Sequence, residues 1–189
     1  SPLKEAVQQK VAGHRLFIPN ADEYDLKYMR FMRFDTFDPG EDWRNLRAIM
    51  LPNLNLLDGL ASANNFDPLV SGRYANWMAF LAETDPHTRL RLLRLMDVGA
   101  VQRIYTPEPY GVLFEAIDGS RRVRWLPCYT LAGDASLAWE QVTGGKVDLQ
   151  STVVLELQET LPSYRCPLED EFVASGDAVI QEESLNRLV

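Results

Sequence analysis

Residues 85–105 read DPHTRLRLLRLMDVGAVQRIY, and within them the spacing of the apolar residues changes from helical to extended. Asp85 suits the N-cap of a helix, and Pro86 suits its first position, where proline is favoured. The apolar stripe of this helix is Leu90, Leu93 and Met96. Beyond Gly99 the β-branched and aromatic residues predict a strand over 100–105.

The same two spacings recur on both sides of this stretch and indicate the fold class. Further helices are predicted over 3–11, 22–34, 41–50, 71–83 and 134–142, and further strands over 15–18, 112–117, 122–126, 129–131 and 152–157. Because helices and strands alternate, we expect an α/β fold, with α+β as the open alternative. The expected architecture is a small mixed sheet with helices packed on it.

The two ends of the chain indicate a piece of a longer protein. Ser1 leads directly into a helical pattern without an initiator methionine. Beyond Pro162 the sequence turns acidic and irregular, and strands are then predicted at 178–180 and 188–189. We therefore expect an α/β domain over 1–161, followed over 162–189 by a linker and the start of a truncated β-rich module.

Charge and hydropathy exclude some classes of partner. The net charge of -8 and the pI of about 4.8 argue against nucleic acid, because phosphate binding needs clustered Lys and Arg. No apolar run is long enough to span a bilayer. Arginines concentrate at 89–103 and 121–124. They form either a solvated face or a dock for an anionic group, and both interpretations are open.

The sequence contains none of the common catalytic or cofactor-binding motifs. The two histidines, His14 and His87, lie far apart, and no hydrolase, dinucleotide or phosphate-loop motif occurs. We expect no catalytic residue, no metal site and no cofactor in this chain. Cys128 and Cys166 lack the spacing of a zinc or thioredoxin motif, so a disulfide and a pair of free buried thiols are both open.

A polar loop over 51–69 carries the best candidate for a binding site. It mixes apolar residues with Asn and Asp, and aromatic residues lie within it and just after it. The candidate binding residues are Asn53, Asn65, Asp67, Arg73, Tyr74 and Trp77. Amides and carboxylates beside aromatic rings suit sugar hydroxyls. The alternative is that Asn and Asp bond to the local backbone and hold the loop in shape.

At this loop the sequence resembles a known family. The run LPNLNLLDGL at 51–60, followed by NFDPL at 65–69 and the pair Arg73 and Tyr74, resembles the YfhO-like family of bacterial integral membrane proteins. Family members carry a similar pattern in a water-facing region that follows transmembrane helices. Later segments that fit the family lie at 92–104, 125–157 and 178–189, in the same order. The sequence departs from the family pattern at 99–103 and at Cys128.

The resemblance implies a parent protein with many transmembrane helices, similar to glycosyltransferases of the GT-C type that use lipid-linked sugars. In such enzymes the acidic catalytic residue lies near the first transmembrane helices, so none is carried over to this chain. The implied role is a non-catalytic extracytoplasmic domain at the bacterial cell membrane that binds or positions an acceptor glycan. Its implied partners are the rest of the parent and a cell-envelope glycan or lipid-linked sugar. The open alternative is a purely structural or protein-interaction module that packs on the membrane-embedded part.

Overall fold

The computed structural model describes residues 9, 11, 13–31, 35, 38, 49–64, 69–105, 111–118, 124, 126–156 and 164–166. The chain divides into two compact units, Ser1–Arg122 and Val123–Val189. Each unit contains its own sheet.

The sheet of the first unit has four strands in the order β2-β1-β3-β4. They are β1 Arg15–Phe17, β2 Ala61–Ser62, β3 Val98–Tyr105 and β4 Gly111–Ala116. β1 is parallel to both β2 and β3, whereas β3 and β4 are antiparallel. The sheet is therefore mixed, and the strands with two neighbours are β1 and β3.

A helix follows β1 almost at once. α1, Asn20–Tyr24, continues into a π-helical segment, Asp25–Phe31. The helix begins two residues before the predicted start, so Asp22 lies in its first turn and not at the N-cap. There the Asp22 carboxylate accepts a hydrogen bond from the Ile104 N–H of β3 at 3.3 Å, which ties the helix to the sheet.

Two helices separate β2 from β3, and their boundary follows from local capping. They are α2, Gly72–Glu83, and α3, Pro86–Leu95. The carboxylate of Asp85 accepts hydrogen bonds from the backbone N–H groups of His87 and Thr88, both at 3.0 Å. The predicted Asp85 cap and the predicted Pro86 at the first helical position are confirmed.

Arg89 joins these two helices by capping the end of α2. Its guanidinium donates to the Leu81 carbonyl at 2.7 Å, to the Ala82 carbonyl at 3.1 Å and to the Thr84 carbonyl at 2.8 Å. The last carbonyls of a helix lack intrahelical partners, and a cation there also complements the helix dipole. The Arg89 guanidinium therefore has a structural role at the junction of α2 and α3.

Buried apolar side chains of the first unit include two groups that involve the loop. One contains Val11, Leu16, Met50, Leu60, Ala100 and Phe114. The other contains Ile18, Leu26, Phe31, Ile49 and Leu51. Both include residues from β1 or its end and residues from the loop at 49–64, so this loop supplies core as well as surface.

The second unit is a parallel strand pair with one crossover helix. β5, Cys128–Ala132, and β6, Thr152–Glu156, pair in parallel, and α4, Ala135–Thr143, connects them. The Asp134 carboxylate caps α4 by accepting from the Leu137 N–H at 2.8 Å. A short strand β7, Tyr164–Arg165, lies antiparallel on the other edge of β5.

The expected fold class is confirmed, since both units combine helices with sheet strands and the larger sheet is mixed. The structure places Arg124 and Leu126 outside any strand, so the predicted strand at 122–126 is not seen at its described residues. Most of the predicted helices at 3–11 and 41–50 and the strands at 178–180 and 188–189 lie outside the described residues. The same holds for the predicted domain boundary at 161, which stays a prediction.

The cap of α3 gives a prediction about pH. Hydrogen bonds from Thr88, and with them the backbone N–H of His87, hold the pKa of Asp85 below its ordinary value of 3.8. Because the folded-state pKa is lowered, the ionised cap stabilises the fold above pH 3.8, and this contribution is lost as the pH falls through the folded-state pKa. An NMR titration of the Asp85 carboxyl carbon should therefore give a midpoint below 3.8. In Thr88→Ala the midpoint should move back toward the ordinary value; a wild-type midpoint at or above it would contradict this account.

Candidate functional site

The structure describes four of the six candidate binding residues. Asn53 is exposed and has a φ of 75° at the start of a short 3-10 helix, Leu54–Asp58. Arg73 is exposed in the first turn of α2. Asn65 and Asp67 lie outside the described residues, so their place in a site stays a prediction.

The two aromatic candidates direct their polar atoms into the fold. The Tyr74 hydroxyl donates to the Ala63 carbonyl, and the Trp77 indole N–H contacts the Met96 sulfur at 2.9 Å. Burial raises the pKa of Tyr74 above 10.0, while nearby Arg15 acts in the opposite direction. Both rings are half-buried. These polar atoms are engaged by the chain itself and serve the attachment of α2.

Asn64 makes the most complete set of hydrogen bonds in the loop. Its side-chain oxygen accepts from the Ile18 N–H at 2.7 Å, and its side-chain nitrogen donates to the Ile18 carbonyl at 2.8 Å. The same nitrogen donates to the Glu23 carboxylate at 3.0 Å. Asn64 is 7% exposed. Buried amides are paired in this way because an unmade hydrogen bond is costly.

Glu23 extends this network to a buried cation. Its other carboxylate oxygen pairs with the ammonium group of Lys27, one helical turn further along. Lys27 is 4% exposed, and burying an ammonium group is tolerated when a carboxylate lies against it. The chain of contacts from Ile18 through Asn64 and Glu23 to Lys27 joins β1, the loop and α1.

Asn55 holds the turn of the loop from inside. Its side-chain nitrogen donates to the Leu60 carbonyl at 2.5 Å, and its own carbonyl accepts from the Leu60 N–H at 3.1 Å. Its side-chain oxygen is buried and has no hydrogen-bond partner among the described residues. Asn55 is 2% exposed, so it is a structural residue of the turn.

The neighbours of Asn55 have the opposite exposure. Leu56 is 65% exposed and Leu57 is 60% exposed, and we call them the Leu56–Leu57 pair. Within this short helical turn Asn55 is therefore inside and the Leu56–Leu57 pair is outside, while Leu54 packs against the core. Exposed apolar side chains that sit together commonly mark an interaction site.

A second polar pair links residues far apart in the sequence. His14 Nδ1 lies 2.5 Å from the Asp97 carboxylate, and the Arg15 N–H donates to the Asp97 carbonyl at 2.8 Å. Asp97 is buried and has a φ of 60°, a conformation that Asp tolerates better than most residues. The pair fastens the start of β1 to the turn before β3. Sequence reasoning did not find it, because 83 positions separate the partners.

Other functional classes find little support in the described part of the chain. No group of three or more His, Cys, Asp or Glu side chains there could hold a metal ion. No helix among the described residues is long and apolar enough to cross a membrane. Arg103 pairs with Glu115 across β3 and β4 at 3.4 Å, so this arginine, like Arg89, has a partner within the fold.

The cysteines, left open by the sequence, form a disulfide between Cys128 and Cys166. Cys128 is buried at the start of β5, and Cys166 is exposed directly after β7.

Comparison with known proteins gives no relative: no family model, no curated protein and no solved structure matches the chain.

The contacts of Asn64 give a prediction about stability. Asn64→Ala leaves the buried N–H and carbonyl of Ile18 without their side-chain partner. We expect the free energy of unfolding to fall by about 2 to 6 kcal/mol, since each of the two buried polar groups left unpaired costs about 1 to 3 kcal/mol. Chemical denaturation measures the change.

Asn53→Gly is the matched control. Asn53 is exposed, makes no side-chain capping bond and has a positive φ that glycine adopts freely. Its effect should stay within about 0.5 kcal/mol. Equal losses in the two variants, or no loss in Asn64→Ala, would show that the loop amides do not hold the fold.

Proposed function

We propose that this chain is a non-catalytic extracytoplasmic domain of a multi-pass bacterial membrane protein, and that it acts as an interaction module packing on the membrane-embedded part. The observation that carries the proposal is the inverted polarity of residues 55–57. The Asn55 side chain is buried and donates a hydrogen bond to the Leu60 carbonyl, whereas the Leu56–Leu57 pair faces outward. Such a surface suits an apolar partner better than a solvated one.

The partner is inferred from the resemblance of the loop and its flanks to the YfhO-like family. The exposed leucines lie in LPNLNLLDGL at 51–60, the segment in which that resemblance begins. A water-facing domain tethered to a transmembrane bundle lies close to that bundle's apolar edge. The partner that we propose is an apolar, membrane-proximal surface of the same polypeptide.

The disulfide supports the proposed compartment. Cys128 and Cys166 are bonded to each other, and the described residues include no free cysteine. Structural disulfides persist outside the cytoplasm and are rare inside it, where thiols are kept reduced. A domain on the outer face of the membrane meets this requirement.

The second candidate role is the binding or positioning of an acceptor glycan. Its support is that Asn53 and Arg73 are both exposed. The hydroxyl of Tyr74 and the indole N–H of Trp77 contribute no support, because both are engaged within the fold. Interaction through the leucines is therefore the favoured role.

Site-directed photo-crosslinking in the full-length gene product tests the proposal. A photoreactive residue at Leu56 should crosslink within the same polypeptide, to a peptide from a membrane-embedded segment. The same probe at Glu83, an exposed residue at the end of α2, is the matched control and should give no such product.

Three outcomes of this experiment would count against the proposal. A gene product without transmembrane segments would mean that the proposed partner does not exist. Equal crosslinking from Leu56 and Glu83 would mean that the contact is not specific to the leucines. A Leu56 crosslink to a glycan instead of to protein transfers the assignment to acceptor binding.

A further inference from the structure

The disulfide of the second unit lies at the end of a very short strand pairing. β5 and β7 are antiparallel, with Tyr129 opposite Arg165 and Thr130 opposite Tyr164. Continued by one position, this register places Cys128 opposite Cys166. The disulfide therefore closes the ladder at the point where the two strands' next residues face each other.

The two edges of β5 are held by very different means. On the β6 edge five register pairs, from Cys128↔Thr152 to Ala132↔Glu156, and the capped helix α4 support the pairing. On the β7 edge the described residues give two register pairs and the disulfide. Two pairs provide few hydrogen bonds against the entropy lost in ordering the segment, so the covalent bond is the stronger of these two restraints.

The two sulfurs also differ in access. Cys128 is 5% exposed, whereas Cys166 is exposed. Thiol–disulfide exchange needs a thiolate to approach one sulfur along the S–S bond, and access decides which sulfur is attacked. The geometry makes Cys166 the sulfur that meets an incoming thiolate.

We infer that the Cys128–Cys166 disulfide is a redox-cleavable latch, which dithiol reductants open at Cys166 and whose opening releases β7 from β5 while the β5–α4–β6 unit stays folded. The substrate class of this modification site is a dithiol, free or in an oxidoreductase. This inference concerns the second unit and does not depend on the proposed function.

The exchange balances as a two-electron reduction. One thiolate of the dithiol attacks the Cys166 sulfur and forms a mixed disulfide; the Cys128–Cys166 bond breaks, and the Cys128 thiolate that leaves takes up a proton. The second thiolate of the reductant then attacks its own partner sulfur in the mixed disulfide. Cys166 leaves as a thiolate and is protonated, and the reductant departs as a disulfide.

Hydrogen exchange on the full 189-residue chain tests the latch, with dithiothreitol as the dithiol. On reduction, peptides that contain Tyr164 and Arg165 should exchange about tenfold faster or more, because a released segment loses its protection. Peptides from β6 should change by less than about twofold. Far-UV circular dichroism should keep the helical signal.

The double variant Cys128→Ser/Cys166→Ser is the matched control, and it should show the fast β7 exchange with or without reductant. A thiol count on the denatured, unreduced chain should find no free thiol. Two free thiols in that count would overturn the inference. So would unchanged exchange at β7 after reduction, or an equal loss of protection at β6, which would mean that reduction unfolds the whole unit.

Discussion

The carboxamide of Asn64 pairs with the backbone of Ile18, just beyond the end of strand β1. β1 ends at Phe17, and the next residue, Ile18, is buried and must still pair both its N–H and its carbonyl. An asparagine side chain offers one acceptor and one donor in the arrangement of a peptide group, and Asn64 presents both to Ile18 at 2.7 and 2.8 Å. β2 is only two residues long, and the loop is also held by the Ala63 N–H, which donates to the Leu16 carbonyl at 2.6 Å, and by the packing of Met50 and Leu60 against Leu16. The Asn64 amide extends this attachment one residue beyond the end of β1.

Further side-chain contacts attach the loop to helix α1 and close its turn. Asn64 also donates to Glu23, and Glu23 neutralises the buried ammonium group of Lys27, so α1 is fixed to the loop through charged and polar groups. Asn55 closes the turn through the carbonyl of Leu60. Leu54 of the same turn packs against the core, whereas the Leu56–Leu57 pair faces outward. The exposed leucines therefore lie next to residues that attach the turn to the fold.

The sequence predicted best what is decided locally. The Asp85 cap, the Pro86 start and the strands β3 and β4 all follow from residues a few positions apart, and the structure contains them. The pairing of Ile18 with Asn64 spans 46 positions and that of His14 with Asp97 spans 83, and no local pattern signals either. Contacts between separate segments also engage two of the six candidate binding residues, because the polar atoms of Tyr74 and Trp77 bond to Ala63 and Met96. The binding site as a whole stays a prediction. Asn55 bonds to the local backbone, as the alternative interpretation of the loop has it, whereas Asn64 bonds to Ile18, 46 positions away.

The polar loop holds the end of β1 through the Asn64 amide, which substitutes for a strand neighbour of Ile18. The exchange rate of the Ile18 amide proton, measured by NMR, tests this role most directly. In a folded chain the Ile18 proton should be protected to the same degree as the amide protons of β1, because it is buried and bonded to Asn64 Oδ1. An Ile18 proton that exchanges as fast as those of an exposed loop, while β1 remains protected, would contradict the account.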